Sequence, residues 1–293
     1  MNELSFLSFG YGSAEKKRRE SPHESWRIWL KSGASKPLSL REECLLAAKE
    51  ILDHCDRPAI LFSGGIDSEV VLRSFLALGA RPDVFFLRFK GGLNDHDHKW
   101  AREFMDSVGA KLQIIELDVE DFFESGRAFE MAHRYQASHL EFCTTLYLMQ
   151  ELPDRFVVLG SGEPYFMRLK RSPVSAYSWY HCERENAFCW SKFLMDSPGS
   201  GARFFHARQE IHLAYARELR AMGLFDGAFP GKISSATLKP QIFAKAFDCP
   251  LRPKYTGFEH LGVLAGKFQS GFKSDIGSFS AIYPHDINKM DIS

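Results

Sequence analysis

The 293-residue chain has no CxxC pair, no excess of charge of either sign, no internal repeat and no apolar run long enough to cross a bilayer. Each absence excludes something. Six cysteines that occur singly leave neither a zinc ribbon nor a dithiol redox centre, and the closest pair, Cys182 and Cys189, reads as two reduced thiols. Thirty-seven basic residues against 37 acidic ones provide no global field that would draw the chain to nucleic acid or to an acidic membrane. A nucleic-acid partner is therefore not indicated by net charge, although a local basic patch is invisible in the total. With no spanning segment and no signal-peptide core at the N-terminus, a soluble, reducing, cytoplasmic setting without a membrane partner is the expectation. The length suffices for one large domain or two small ones with a substantial core.

What the chain does have is the hexapeptide Ser63-Gly64-Gly65-Ile66-Asp67-Ser68. It follows the apolar run Ala59-Ile60-Leu61-Phe62 and precedes an amphipathic stretch from Glu69 to Leu78. A strand, a glycine turn and a helix start together make an anion site. The glycines let backbone come close to a ligand, and the N–H groups of a helix start point at a phosphate. Ser63 and Ser68 add hydroxyl donors, and Asp67 is suited to hold a Mg²⁺ that shares the phosphate charge. No lysine lies in the loop, so it is not the Walker GxxxxGK[ST] loop.

Around this loop the pattern alternates. Ser39-Leu40-Arg41-Glu42 reads as a capping box that opens a helix with Leu45, Ala48, Ile51, Leu52 and Cys55 on one face. Strands are expected at 59–62, 84–89, 112–117 and 156–159, with helices between them, including stretches at about 120–132 and 138–151. Asn94 or Asp95 is the expected cap of the helix that carries Trp100, Phe104 and Met105. This is the pattern of an α/β doubly wound parallel sheet, in which ligands bind beyond the carboxyl ends of strands where the strand order reverses. A second glycine turn, Gly160-Ser161-Gly162-Glu163, follows strand four. Three regions are expected: an N-terminal extension (1–38), an α/β core (39–165) and a mostly helical closing region with an irregular tail (166–293). Beyond 165 the alternation stops, with a loop at 197–201 and helices at 208–222 and before Phe247.

Ser-Gly-Gly-x-Asp-Ser in this setting resembles the pyrophosphate-binding loop of the N-type ATP pyrophosphatases, the PP-loop superfamily with its HUP-like fold. That resemblance implies cleavage of ATP between the α and β phosphates, with Mg²⁺, and transfer of AMP to a substrate oxygen. It also implies that strand one lies beside strand four, so that the two glycine loops face one another. Gly160 and Gly162 then join Ser63, Gly64, Gly65, Ile66, Asp67 and Ser68 at the nucleotide, with Leu87 at the end of strand two. Val157–Glu163 looks like the asparagine-synthetase branch, where strand four ends in an acidic glycine loop, and makes Glu163 a second Mg²⁺ or substrate contact; a helix-entry carboxylate is the plainer alternative. Arg252-Pro253-Lys254-Tyr255-Thr256-Gly257-Phe258 resembles that branch's Arg-x-Lys element. Lys254 is the expected transition-state cation and Arg252 its phosphate support.

The implied reaction is activation of a small-molecule or peptide carboxylate, or an amide oxygen, followed by attack of ammonia or an amine. The chain begins Met1-Asn2 without the cysteine of glutamine-using relatives, so free ammonia, a substrate amine or ammonia from another subunit is expected. Two alternatives stand beside this. One is thiolation or amination of a nucleobase or tRNA, for which Cys143 or Cys182 with Cys189 would be the thiols. The other is a nucleotide-binding module without chemistry. Asn94-Asp95-His96-Asp97-His98 reads as a helix start rather than a metal cluster, Lys90-Gly91-Gly92 as a border for adenine or ribose, and Tyr165, Tyr177, Trp179, Tyr180 and His181 as core or pocket wall.

Overall fold

The structure, a computed structural model, describes residues 36–135, 137, 139–170, 177–182, 188–197, 201–226, 235–253, 255, 257–262, 265–270 and 285–286; the side chains of 167–170, 177–182, 188, 195, 226, 235–237 and 285–286 are not described. Five parallel strands form its centre: β1 (Ala59–Leu61), β2 (Asp83–Phe89), β3 (Leu112–Leu117), β4 (Val157–Leu159) and β7 (Gly201–Arg203), ordered β3-β2-β1-β4-β7. A short antiparallel sheet, β5 (Tyr165–Lys170), β6 (Tyr177–Cys182) and β8 (His285–Asp286), lies beside it.

Short, uniformly apolar strands are what a parallel sheet covered on both faces requires. In β1, Ile60 faces one core while Ala59 and Leu61 face the other, and in β4 Val158 opposes Val157 and Leu159 in the same way. Side-chain period two thus feeds two cores, each fully buried aliphatic side chain contributing about 2 kcal/mol. One core is closed by α1 (Leu40–Leu52), α2 (Ile66–Ala77), α3 (Asp95–Ser107), α8 (Gln209–Ala221) and α9 (Ser235–Phe247). The other is closed by α4 (Val119–Glu124), α5 (Arg127–Tyr135), α6 (Leu140–Gln150) and α7 (Phe188–Asp196). The doubly wound α/β class is as expected, and so is the Ser39–Glu42 capping box, with both reciprocal bonds made.

Three elements differ from the sequence reading. The helix at about 120–132 is two, α4 and α5, because Gly126 takes φ +83° between them. The alternation does not stop at 165: β7 pairs with β4 as a fifth parallel strand, and its first residue falls in the segment read as a loop. Three residues are too few for periodicity to reveal a strand. Finally, the aromatic stretch after 165, which showed no period, contains the hairpin β5–β6 and then α7.

Candidate functional site

The strand order reverses between β1 and β4, so the loops that leave their carboxyl ends meet there. Helix α2 starts at Ile66 from an extended Gly65 with no side-chain cap, which leaves its first-turn N–H groups directed at the crevice. Inside the loop, Ser68 Oγ donates to the Gly65 carbonyl at 2.9 Å and accepts from the Ser63 N–H at 3.2 Å. The two serine hydroxyls stand 3.2 Å apart. Ser68 therefore braces the turn, and the Ser63 hydroxyl lies at its mouth.

Two glycines are demanded by contact. Gly64 has φ +73°, and a Cβ there would lie 2.6 Å from the Asp97 carbonyl oxygen at the start of α3. At Gly160 a Cβ would lie 2.9 Å from both N and Cα of Ser68. The two glycine loops are thus in backbone contact, as the expected β1–β4 adjacency requires. Gly162, at φ +82°, meets the ring of His206, and Ser161 accepts from Arg203 Nε at 3.1 Å, which docks the second loop on the end of β7.

A lysine that the sequence reading did not single out occupies the centre. Lys239, on α9, donates from Nζ to Asp67 Oδ2 at 2.8 Å and to Glu163 Oε1 at 3.2 Å. Its side chain is 17 % exposed, against 23 % and 36 % for the two carboxylates. Burial works against its charge, yet the charges of Asp67 and Glu163 outweigh it and raise the ammonium well above its ordinary value. The same two carboxylates, after desolvation, push the buried phenol of Tyr215 upward.

Beside these groups a cleft of ≈ 310 Å³ is lined by Ser63, Ser68, Gly160 and Ser161, with Phe62, Leu61, Leu87, Phe89 and Leu159 as its floor and Trp190, Tyr255 and Phe258 among its walls. Polar groups line it at the two loops, at the start of α3 as Asn94 and Asp97, and on α6 as Glu141, Thr144 and Thr145.

No family model matches the chain, and no curated protein matches it significantly. Among solved structures, that of NMN synthetase from Francisella tularensis is similar at 18 % identity over 41 % of this chain and 54 % of that one, with a TM-score of 0.32. The chain thus spans about half the length of that protein.

Leu87 lines the cleft, and its carbonyl accepts from Asn94 Nδ2 at 2.8 Å. Asn94 starts α3 but caps nothing; its amide closes the end of β2 instead, also accepting from the Phe89 N–H. Asp95 pairs with Arg88. Lys90 pairs with Asp118 at 3.9 Å, and Lys90-Gly91-Gly92 is not among the residues lining the cleft. Arg252 is set against the buried Glu69 at 3.0 Å and over the Trp100 ring, one residue along α2 from the loop rather than in it. Lys254 lies outside the described residues. So do the side chains of Tyr177, Trp179, Tyr180, His181 and Cys182.

His98 packs on Phe86, and burial first, then Arg88, lowers its basicity. No group of three or more metal-ligating His, Cys, Asp or Glu side chains occurs among the described residues. Cys143 and Cys189 are fully buried, with thiols pushed up by desolvation, the opposite of a reactive cysteine. No described helix is long and apolar enough to cross a membrane.

Lys239 left only a faint signal in the sequence: a cation in the first half of α9, beside Leu238 and followed by Ile242 and Phe243, with Lys245 as a second cation in the last turn. A lysine at such a position reads as a surface residue until the fold is known.

Proposed function

We propose that the chain is an ATP-using enzyme that cleaves between the α and β phosphates and passes AMP to an acceptor oxygen. The observation that carries this reading is the convergence of Asp67, Glu163 and Lys239 at the mouth of two glycine turns in backbone contact. The apolar cleft has the size and lining of a small ligand pocket and suits a nucleoside. The pyrophosphate then reaches the Ser63–Ser68 turn and the first N–H groups of α2.

Asp67 and Glu163 are hard oxygen donors facing each other across a cation, the donor set Mg²⁺ takes, and they are the residues that would hold it. When bound, Mg²⁺ supplies charge neutralisation to the departing pyrophosphate. Lys239 stays protonated, so it is a fixed positive charge and not a base. Such preorganised charge lowers the barrier where negative charge develops. In this scheme an acceptor oxygen attacks the α phosphorus and the bond to the bridging oxygen breaks with loss of pyrophosphate. A nitrogen nucleophile, ammonia or an amine, then attacks the activated carbon and displaces AMP, an overall C–N ligation as in asparagine synthetase-like enzymes. The acceptor is a carboxylate or an amide-type oxygen.

The test is incubation with Mg²⁺ and α-labelled ATP in the presence of mixed carboxylate and amine substrates. AMP and pyrophosphate are the expected products. ADP as the labelled product would sink the adenylation scheme.

A further inference from the structure

At the opposite, amino-terminal end of the sheet lies a concavity of ≈ 470 Å³ lined by Arg57, Arg81, Lys111 and Arg155, with Asp83 and Gln113. Each cation comes from a different helix-to-strand turn: before β1, β2, β3 and β4 respectively. Asp83 accepts from Arg57 Nη2 at 2.7 Å and also from Arg155. One carboxylate against four cations leaves a surplus of three positive charges (4 − 1) in one hollow. Asp83 also holds two guanidinium forks in place while leaving their other N–H groups for a ligand. Arg81 and Lys111 are exposed and have no ion-pair partner among the described residues.

Cations near helix carboxyl ends commonly offset the helix dipole. That does not account for this set, because α2 and α3 carry no basic residue in their last turns; the charges lie beyond the helix ends and converge. We propose that this concavity binds a compact oligophosphate. Four neighbouring strands span about 15 Å, the reach of a short phosphate chain. The hollow lies at the opposite ends of the strands from the glycine loops, roughly 13 Å along the chain from Ala59 to Ser63, so it stands apart from the cleft.

The experiment is calorimetric titration of the full chain with tripolyphosphate, and separately with ATP, on the natural protein and on R81A/K111A. These two substitutions leave the Asp83 pairs intact. Tripolyphosphate affinity should fall by about tenfold or more in the variant, with R81K/K111R retaining it. It should also fall as salt rises from roughly 50 to 200 mM. Loss confined to tripolyphosphate identifies a free oligophosphate as ligand; loss of an additional, second ATP site identifies the phosphate tail of a nucleotide. Unchanged tripolyphosphate binding in R81A/K111A overturns the proposal. So does a short single-stranded RNA that displaces tripolyphosphate at equal phosphate concentration. Competition of ATP and tripolyphosphate for one site that R81A/K111A leaves unchanged also overturns it, since the cleft alone would then be responsible.

Discussion

Lys239 Nζ lies 2.8 Å from Asp67 Oδ2, joining a helix late in the chain to the first turn of the helix that follows β1. The same ammonium reaches Glu163 at 3.2 Å, so one cation ties together both loops of the crevice and α9.

Replacing Lys239 by Met keeps most of the stem and removes the charge. AMP formation should drop by about 10²–10³-fold, the usual loss when one preorganised charge is removed from a reacting centre. The measurement is the initial rate of labelled AMP release, and an unchanged rate would show that the lysine only braces the carboxylates. Its stabilising contribution has a definite pH sign. The ammonium is raised above its ordinary 10.5, so the contribution is full below that pH and is lost only as pH climbs through the higher folded value.

Three glycine-to-alanine variants separate backbone conformation from contact. Gly79 has φ +76° with nothing near its missing Cβ, so Gly79→Ala should cost about 1–2 kcal/mol and leave nucleotide binding intact. In Gly160→Ala the new methyl meets Ser68 backbone at 2.9 Å and must push the two loops apart. ATP affinity should fall there far more than in Gly79→Ala. Gly64→Ala combines both faults, at φ +73° and 2.6 Å from the Asp97 carbonyl, and should be the worst of the three. Equal ATP affinities across the set, measured by calorimetry beside thermal unfolding, would remove the loops from the nucleotide site.

His206 supplies a pH dependence. Burial, assisted by Arg203, holds its imidazole well below the ordinary 6.5, so the folded protein keeps it neutral while the unfolded chain protonates it. Stability should be at its full value above that pH and decline as pH falls below it, by up to about 1.4 kcal/mol per pH unit for one proton. Denaturant unfolding between about pH 7 and 5 measures the slope. His206→Phe keeps a ring against Gly162 and should flatten it.

The thiolation alternative predicts dependence on Cys143 and Cys189. Both are buried with raised thiol pKa, so Cys143→Ala and Cys189→Ala should leave AMP formation within about threefold of the natural rate. Loss of activity in a variant that still unfolds cooperatively at near-normal temperature would favour sulfur chemistry instead.

Much of the site was legible because it is local. Apolar Ala59–Leu61, the turn Ser63–Gly65 and the helix from Ile66 lie within one short stretch, and each preference can be read from residues a few positions apart. The second turn, Gly160–Glu163, was legible for the same reason. Arg252 was read from a motif as phosphate support; the structure sets it against Glu69 and over Trp100, contacts that motif spacing does not indicate. The two-helix break at Gly126 and the three-residue β7 fall below the length at which periodicity discriminates.

The sequence by itself determined the strand–glycine turn–helix units and the alternation that makes a parallel α/β sheet, since period-two and helical patterning act over neighbouring residues. Only the tertiary structure decided that Gly160 touches Ser68, that Lys239 stands between Asp67 and Glu163, and that four cations from four turns share one hollow. Those are meetings of residues up to 172 positions apart. Sheet order and helix packing bring them together, and neither leaves a mark in local spacing.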